Sequence, residues 1–440
     1  MSKAAFDSSH VGLILCATLL LATIGWPASS HAAAGLVPQH VEDLQPRLTR
    51  LSKSGDATLA FTAFGRQFRL RLSNNERLSR LAAGSTVQLY KGTLEGVPDS
   101  WARVSIVDGL PRGLVWDGHE LFIVDAAPTA VNYGAAGTVM YKLSEAVLEP
   151  GAAFADDAVQ APLDAAVAYD ALVGELRAHK LALQAGIATE GVGISVVADS
   201  AYLARYSGEA QARDAILTRL NSVDGIFSAQ VGVELQVESV NIADDLTAGL
   251  SATTEPNTLL EELARARQGS AQLSATGLTH LFTGRDLDGQ TTGIAYLHAL
   301  CSKRFGASLT MAHNSAAVDA LITAHEIGHV FGAPHDGSGR CASTPQGQFL
   351  MTPTFTDTSI TSFSQCSLDE INAVLDSYSC VVELPPPDPE PTPPPAQPPV
   401  DNGGSSDGGG GGGGSLDPWL LLILLAMGAA RLRHAQRRRG

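Results

Sequence analysis

Cysteine is scarce in this chain: there are five in 440 residues, and no two stand as C-x-x-C. That removes the thiolate zinc motifs, whose ligands come as closely spaced cysteine pairs. Basic residues are also in short supply, with 29 Lys and Arg against 45 Asp and Glu and a formal charge of −16. Binding phosphate backbones needs a basic surface, so no nucleic-acid partner is expected, and the acidity reads as a solubility feature. Long apolar runs are missing too. "VGLILCATLLLATI" (11–24) and "PWLLLILLAMGAA" (418–430) both fall short of the roughly 17–25 residues of a stable membrane helix. What remains is an ordinary hydrophobic content of 45% in a length that suits two domains plus tails.

The two ends read as processing segments. Lys3, the apolar run from Val11 to Ile24 and the small residues of "SSHAAA" make 1–34 a signal peptide, cut after Ala32 or Ala34, so that Cys16 is lost. Leu15 before Cys16 fits a lipoprotein signal poorly. Export places the mature chain in an oxidising compartment. Residues 384–415 form a linker: a stiff Pro-rich spacer from Pro385, then seven glycines from Gly408 to Gly414. The apolar run and "RLRHAQRRRG" complete 416–440, with the arginines holding that end on the cytoplasmic side.

Chemistry concentrates in "ALITAHEIGHVFGAPHDG", 320–337, which holds three of the twelve histidines. His325 and His329, four apart, lie one turn apart on one helix face and can share a zinc ion. Gly332 lets the chain turn, so that His335 arrives from the far side. Three protein ligands leave a fourth position for water, the layout of a catalytic zinc. Glu326 follows the first ligand and can serve as general base toward that water. A bare H-E-x-x-H arises by chance on the order of once in a hundred such chains; the glycine, third histidine and aspartate lower this to roughly a few in a million.

The run H-E-x-x-H-x-x-G-x-x-H-D resembles the metzincin peptidases, and Asp336 points to their reprolysin (adamalysin/ADAM-type) branch rather than another. The resemblance implies a zinc metalloendopeptidase acting on protein or peptide substrates, with one catalytic Zn²⁺. It also implies a methionine in a tight turn beneath the metal, which "QFLMTPTF" supplies as Met351. Asp336 is read as a structural carboxylate near that turn, since zinc already has three ligands. By themselves the four remaining cysteines allow three pairings. Their reprolysin-like surroundings imply Cys301–Cys380 and Cys341–Cys366. The glycine-rich stretch, apolar run and arginine cluster resemble the GlyGly-CTERM sorting tail of Gram-negative bacteria. That resemblance implies a cell-surface or secreted protein with transient membrane contact; the alternative is a plain C-terminal anchor.

Between the ends lie two folded regions. Residues 35–186 show short alternating strands with Gly and Pro turns, as in "ATLAFTAFGRQFRLRLS", and resemble a mostly β reprolysin pro-domain. Many such pro-domains block zinc with a cysteine, and this one has none, so latency must rest on another ligand such as a carboxylate or on occlusion. An Ala-rich stretch from Asp164 reads as a helix before the pro/mature junction. Residues 187–383 form the peptidase candidate. Its strand–helix alternation gives an α/β (α+β) domain: a twisted mixed sheet, two helices and a long active-site helix. "TTGIAYLHALC" resembles the edge strand along which this family lays its substrates. His280, inside a strand, reads as core; His298 reads as exposed; His313, just before the active-site helix, has no assigned role. The alternative function is a catalytically silent surface-binding module on the same frame.

Overall fold

A computed structural model describes residues 36–51, 55–82, 84–126, 137–148, 154–160, 188–355, 361–375 and 377–384. The signal segment, the Ala-rich stretch and the C-terminal linker and tail lie outside the described residues. Among those described, nine strands form an antiparallel sheet. It runs from Glu42–Leu44 through Thr138–Lys142, Leu121–Ala126, Leu110–Trp116, Trp101–Val107, Gln88–Leu94, Arg66–Asn74 and Asp56–Ala63 to Arg47–Leu51. The alternation in 57–73 places Leu59, Phe61, Phe68, Leu70 and Leu72 on one face. There they meet Leu44, Val104, Phe122 and Met140, so the sheet curls around a core of its own. The opposite face presents Leu89, Trp101, Leu114, Ile123 and Tyr141 to the second layer.

The second layer is a mixed sheet. Its elements are β1 (Phe154–Gln160), β2 (Glu190–Ala198), α1 (Glu209–Gln230), β3 (Val233–Ile242), α2 (Pro256–Gly269), β4 (Leu278–Thr283), β5 (Thr291–Leu297), β6 (Ala307–Met311), α3 (Ala316–Phe331), β7 (Thr354–Phe355), α4 (Gln365–Leu375) and β8 (Val381–Glu383). The order is β3-β2-β4-β6-β5-β1-β7, with β8 also against β2. Strands β3, β2, β4 and β6 run parallel, and β5 runs antiparallel to β6. Every residue of β4 and β6 is buried, as expected of strands covered on both faces. The expected edge strand, β5, has a further neighbour: β1 lies beside it, and β7 beside β1. Both layers fall in one compact unit ending at Pro386.

Helix α1 joins the layers. It is buried without a break from Ile216 to Ser228, because its apolar side packs on the second layer and its polar side meets the first sheet. Arg103 donates from Nε and Nη2 to Asp224 Oδ2 at 3.1 and 3.0 Å. Asn75 donates to Asn221 Oδ1 at 3.0 Å, and Asn221 donates to the Tyr90 carbonyl at 3.2 Å. Gly225 permits the close approach: a Cβ there would stand 2.6 Å from Arg103 Cγ and 2.9 Å from Trp101 Cζ3.

His280, fully buried in β4, shares a hydrogen bond with Ser308 Oγ at 2.8 Å. Burial pushes its pKa down to about 3, whereas an unfolded histidine binds its proton near 6.5. Between those values the unfolded chain holds one proton more, so acidification favours unfolding by about 1.4 kcal/mol per pH unit from this group. Replacing His280 with Leu should remove that slope. Denaturant titrations at pH 7, 6 and 5 would reveal it, and parallel stability–pH lines for the two proteins would contradict it.

Candidate metal centre

Helix α3 carries the motif. Ser315 starts it, its Oγ accepting from the Val318 N–H at 3.3 Å. Gly332 ends it at φ 115°, a left-handed conformation that glycine adopts without a Cβ penalty. The chain after β5 caps the far end: the N–H groups of His298, Ala299 and Leu300 donate to the His329 and Val330 carbonyls at 3.0–3.1 Å. His298, half-buried, sits against this end, its Nδ1 2.7 Å from where a Gly332 Cβ would be. It occupies the junction of strand and helix and not open surface.

The three histidines converge. His325 and His329 are fully buried and His335 half-buried, and their ligand atoms all lie within 4.8 Å of one another. His329 Nε2 is 3.0 Å from His325 Nε2 and 3.1 Å from His335 Nε2. Nitrogens bound tetrahedrally at 2.0–2.1 Å stand about 3.3 Å apart, close to this spacing. The tautomers follow from the second partners. His329 Nδ1 meets the Ala333 carbonyl at 2.7 Å, and His325 Nδ1 meets the Leu350 carbonyl. A carbonyl only accepts, so each Nδ1 carries the proton and each Nε2 offers its lone pair to the shared point. Lone pairs facing one another at 3 Å repel unless a cation lies between them. The donor set therefore fits a zinc ion.

The floor is built from the turn after His335. Met351 is fully buried, and its Sδ lies 2.9 Å from the Cβ position of Gly328, in the turn of α3 between His325 and His329. Phe363 presses on the same glycine. Asp336 is buried; its N–H donates to the Met351 carbonyl at 2.8 Å, and its Oδ1 accepts from Ser364 Oγ at 2.7 Å. It thus joins the segment carrying His335 to the methionine turn. Disulfides link Cys341 to Cys366 and Cys301 to Cys380, the first enclosing this loop and the second tying the segment after β5 to that before β8.

Glu326 is fully buried, and its carboxylate lies over β5. A Cβ on Gly293 would fall 2.1 Å from Glu326 Oε1 and 2.6 Å from Cδ. Gly293, like Gly328, was not singled out by the motif, because a lone glycine in a strand carries no signal of what approaches it. Replacing Gly293 with Ala should displace the carboxylate by an ångström or so. Turnover should fall on the order of 10²-fold with zinc content unchanged, as steady-state kinetics and metal analysis would register; unchanged turnover would contradict this packing.

Behind the helix lies a buried cluster that periodicity did not expose. Asp319 accepts from the His313 N–H and Nδ1, both at 2.8 Å, through Oδ1, and from Arg219 Nε at 2.6 Å through Oδ2. Burial works to raise the Asp319 carboxyl, but the Arg219 guanidinium and the His313 contacts outweigh it and hold the pKa low. His313 therefore faces Asp319 and not the metal triad. A cavity of about 730 Å³ between the layers, lined by Arg112, Asp125, Asp214, Arg219 and His313, includes none of the triad.

Comparison with known proteins points the same way. Residues 188–364 match the family model described as Reprolysin_5, metallo-peptidase family M12. The chain is 26% identical over 361 residues to human "A disintegrin and metalloproteinase with thrombospondin motifs 14", covering 74% of this chain and 29% of that protein. It is 23% identical over 303 residues to "Snake venom metalloproteinase acutolysin-C" of Deinagkistrodon acutus, covering 65% and 66%. Mouse "A disintegrin and metalloproteinase with thrombospondin motifs 7" is 29% identical over 201 residues, 41% of this chain and 12% of that one. The chain thus spans less than two thirds of the length of these relatives. The likenesses support a reprolysin-type metzincin and a metallopeptidase.

Proposed function

We propose that the chain is an exported zinc endopeptidase of reprolysin type, made as a zymogen. The observation that carries this is the convergence of three histidine Nε2 atoms, two of them on rings, His325 and His329, whose Nδ1 is tied to a backbone carbonyl. His325, His329 and His335 would hold a zinc ion, which would supply Lewis-acid chemistry toward water and the scissile carbonyl. Glu326 takes the proton of the attacking water and returns it to the leaving amine. The substrate lies extended beside β5 and binds by backbone pairing. Two disulfides and the signal-like start support export.

A peptide-library digest with the purified exported protein tests the activity. Cuts at internal peptide bonds, lost with a chelator and restored by zinc, are expected. A zinc-loaded, folded protein that cuts nothing would favour the silent binding module.

The described residues contain no helix long and apolar enough to cross a membrane. Residues 416–440 are proposed as a sorting tail removed near Gly414 and Ser415. Intact mass of the exported protein checks this, and a form still ending in "RRRG" would favour the plain anchor.

A further inference from the structure

We propose that the cavity between the layers binds a small zwitterion, an α-amino acid or a short peptide, with its ammonium on Asp214 and its carboxylate on Arg112. The site is separate from the metal triad, none of whose residues lines it.

The cavity follows from the way α1 meets the first sheet. Toward its N-terminal end the helix turns Gln211, Asp214 and Thr218, spaced three and four apart, to the space between the layers. The opposite wall belongs to the first sheet: the strand Leu110–Trp116 supplies Arg112, and the turn before it supplies Asp108. The volume of about 730 Å³ falls within the roughly 300–1,000 Å³ of small-ligand sites.

The walls carry polar atoms that the chain leaves unmatched. Asp214 is 8% exposed and Thr218 4%. Asp214 Oδ1, Thr218 Oγ1 and Arg112 Nε are each buried without a hydrogen-bond partner among the described residues. Arg112 Nε and Asp214 Oδ1 thus face one space from opposite layers, and neither serves the other. Buried polar groups in folded proteins are normally matched, and buried charges are costly when they are not. The other cationic groups of the inner wall are committed elsewhere: Arg219 and His313 both bond Asp319.

The charges select the ligand. Burial raises the Asp214 carboxyl and Asp108 adds to this, against a hydrogen bond from Ser85 and the attraction of Arg213. A positive charge at this end would therefore be gained by the site. Asp125 lies near Arg112, yet burial outweighs that guanidinium and raises the Asp125 carboxyl too, so Arg112 is poorly neutralised. A ligand with only a positive charge would leave Arg112 unmatched, and one with only a negative charge would press against Asp108 and Asp214. Water can fill the hydrogen bonds but brings no counter-charge. A molecule with an ammonium at one end and a carboxylate at the other meets both needs, and the Thr218 hydroxyl can bond either end. Because its two anchors belong to different layers, it would also tie the layers together and raise the stability of the uncut chain.

The test uses the full, uncut chain carrying Glu326→Ala, so that no probe is hydrolysed. The probes are alanine, dialanine and trialanine, each also in N-acetylated and C-amidated form, followed by calorimetric titration and thermal unfolding. One of the free probes should bind with a single equivalent, at a Kd on the order of millimolar or tighter, and raise the Tm. Which of the three binds best distinguishes a free amino acid from a peptide. Both blocked forms should bind at least about tenfold more weakly, since each leaves one buried charge unmet. Asp214→Asn should abolish the preference over the N-acetylated form, and Arg112→Gln the preference over the amidated form. If one variant fails to fold, the blocked probes and the other variant still decide. No binding at tens of millimolar would overturn the proposal and leave the cavity to water. Blocked forms that bind as well as free ones would overturn it too, as would binding that disappears when zinc is removed, which would place the probe at the metal centre.

Discussion

Replacement of Glu326 by Ala is expected to lower peptide hydrolysis by on the order of 10²–10⁴, the usual worth of a positioned general base. Zinc content should stay at one per chain. The separation of the two effects is the informative part. His325, His329 and His335 converge on a single point, whereas the Glu326 carboxylate lies over Gly293. Truncating it removes the proton acceptor without touching a ligand. The Nδ1 contacts to the Leu350 and Ala333 carbonyls, which orient the helical ligands, also survive. Steady-state kinetics on metal-loaded protein reads the first effect and elemental analysis the second. A variant keeping more than about a tenth of the activity would remove Glu326 from the mechanism.

Replacement of Asp319 by Ala is expected to cost about 3–5 kcal/mol of stability, because it leaves the Arg219 guanidinium buried without a counter-charge. The Arg219 and Asp319 side chains are 6% and 0% exposed, so solvent screens neither. The His313 N–H and Nδ1 lose their acceptor as well. The pH dependence has a definite sign. The folded Asp319 carboxyl titrates below its ordinary value, so its contribution is complete above the unfolded pKa near 3.9 and is lost as pH falls through the lower folded value. Denaturant unfolding of the two proteins at neutral pH gives the difference directly; a loss under about 1 kcal/mol would show that the cluster does not hold α3.

The second layer was largely legible in the sequence because its signals are local. Helix α3 has a serine cap, a motif at helical spacing and a glycine stop, all within eighteen residues (315–332). Helix α1 and strand β3 run from Glu209 and Val233, where the apolar spacing places them. Other features depend on partners far along the chain. Asp319 meets Arg219 a hundred residues away, and Gly293 is explained only by Glu326. The polar side of α1 has the pattern of a solvated face, yet Asn221 and Asp224 are buried there by Asn75 and Arg103 of the first sheet. Nor does "FADDAVQ" have the alternation of a half-buried strand; it becomes β1 because β5 and β7 offer it backbone partners on both sides. The cysteines by themselves left three pairings open. Folding brings Cys301 to Cys380 and Cys341 to Cys366 with Cα atoms 5.5 and 5.8 Å apart.

The central claim is that His325, His329 and His335 hold a zinc ion, and metal stoichiometry tests it most directly. Well-folded protein, dialysed against a weak chelator and then supplied with zinc, should bind one equivalent by elemental analysis. The variant with His329 replaced by Ala should lose that uptake while the disulfides stay formed. Folded wild-type protein that takes up no zinc, or a His329 variant that binds it as well as the parent, would contradict the account.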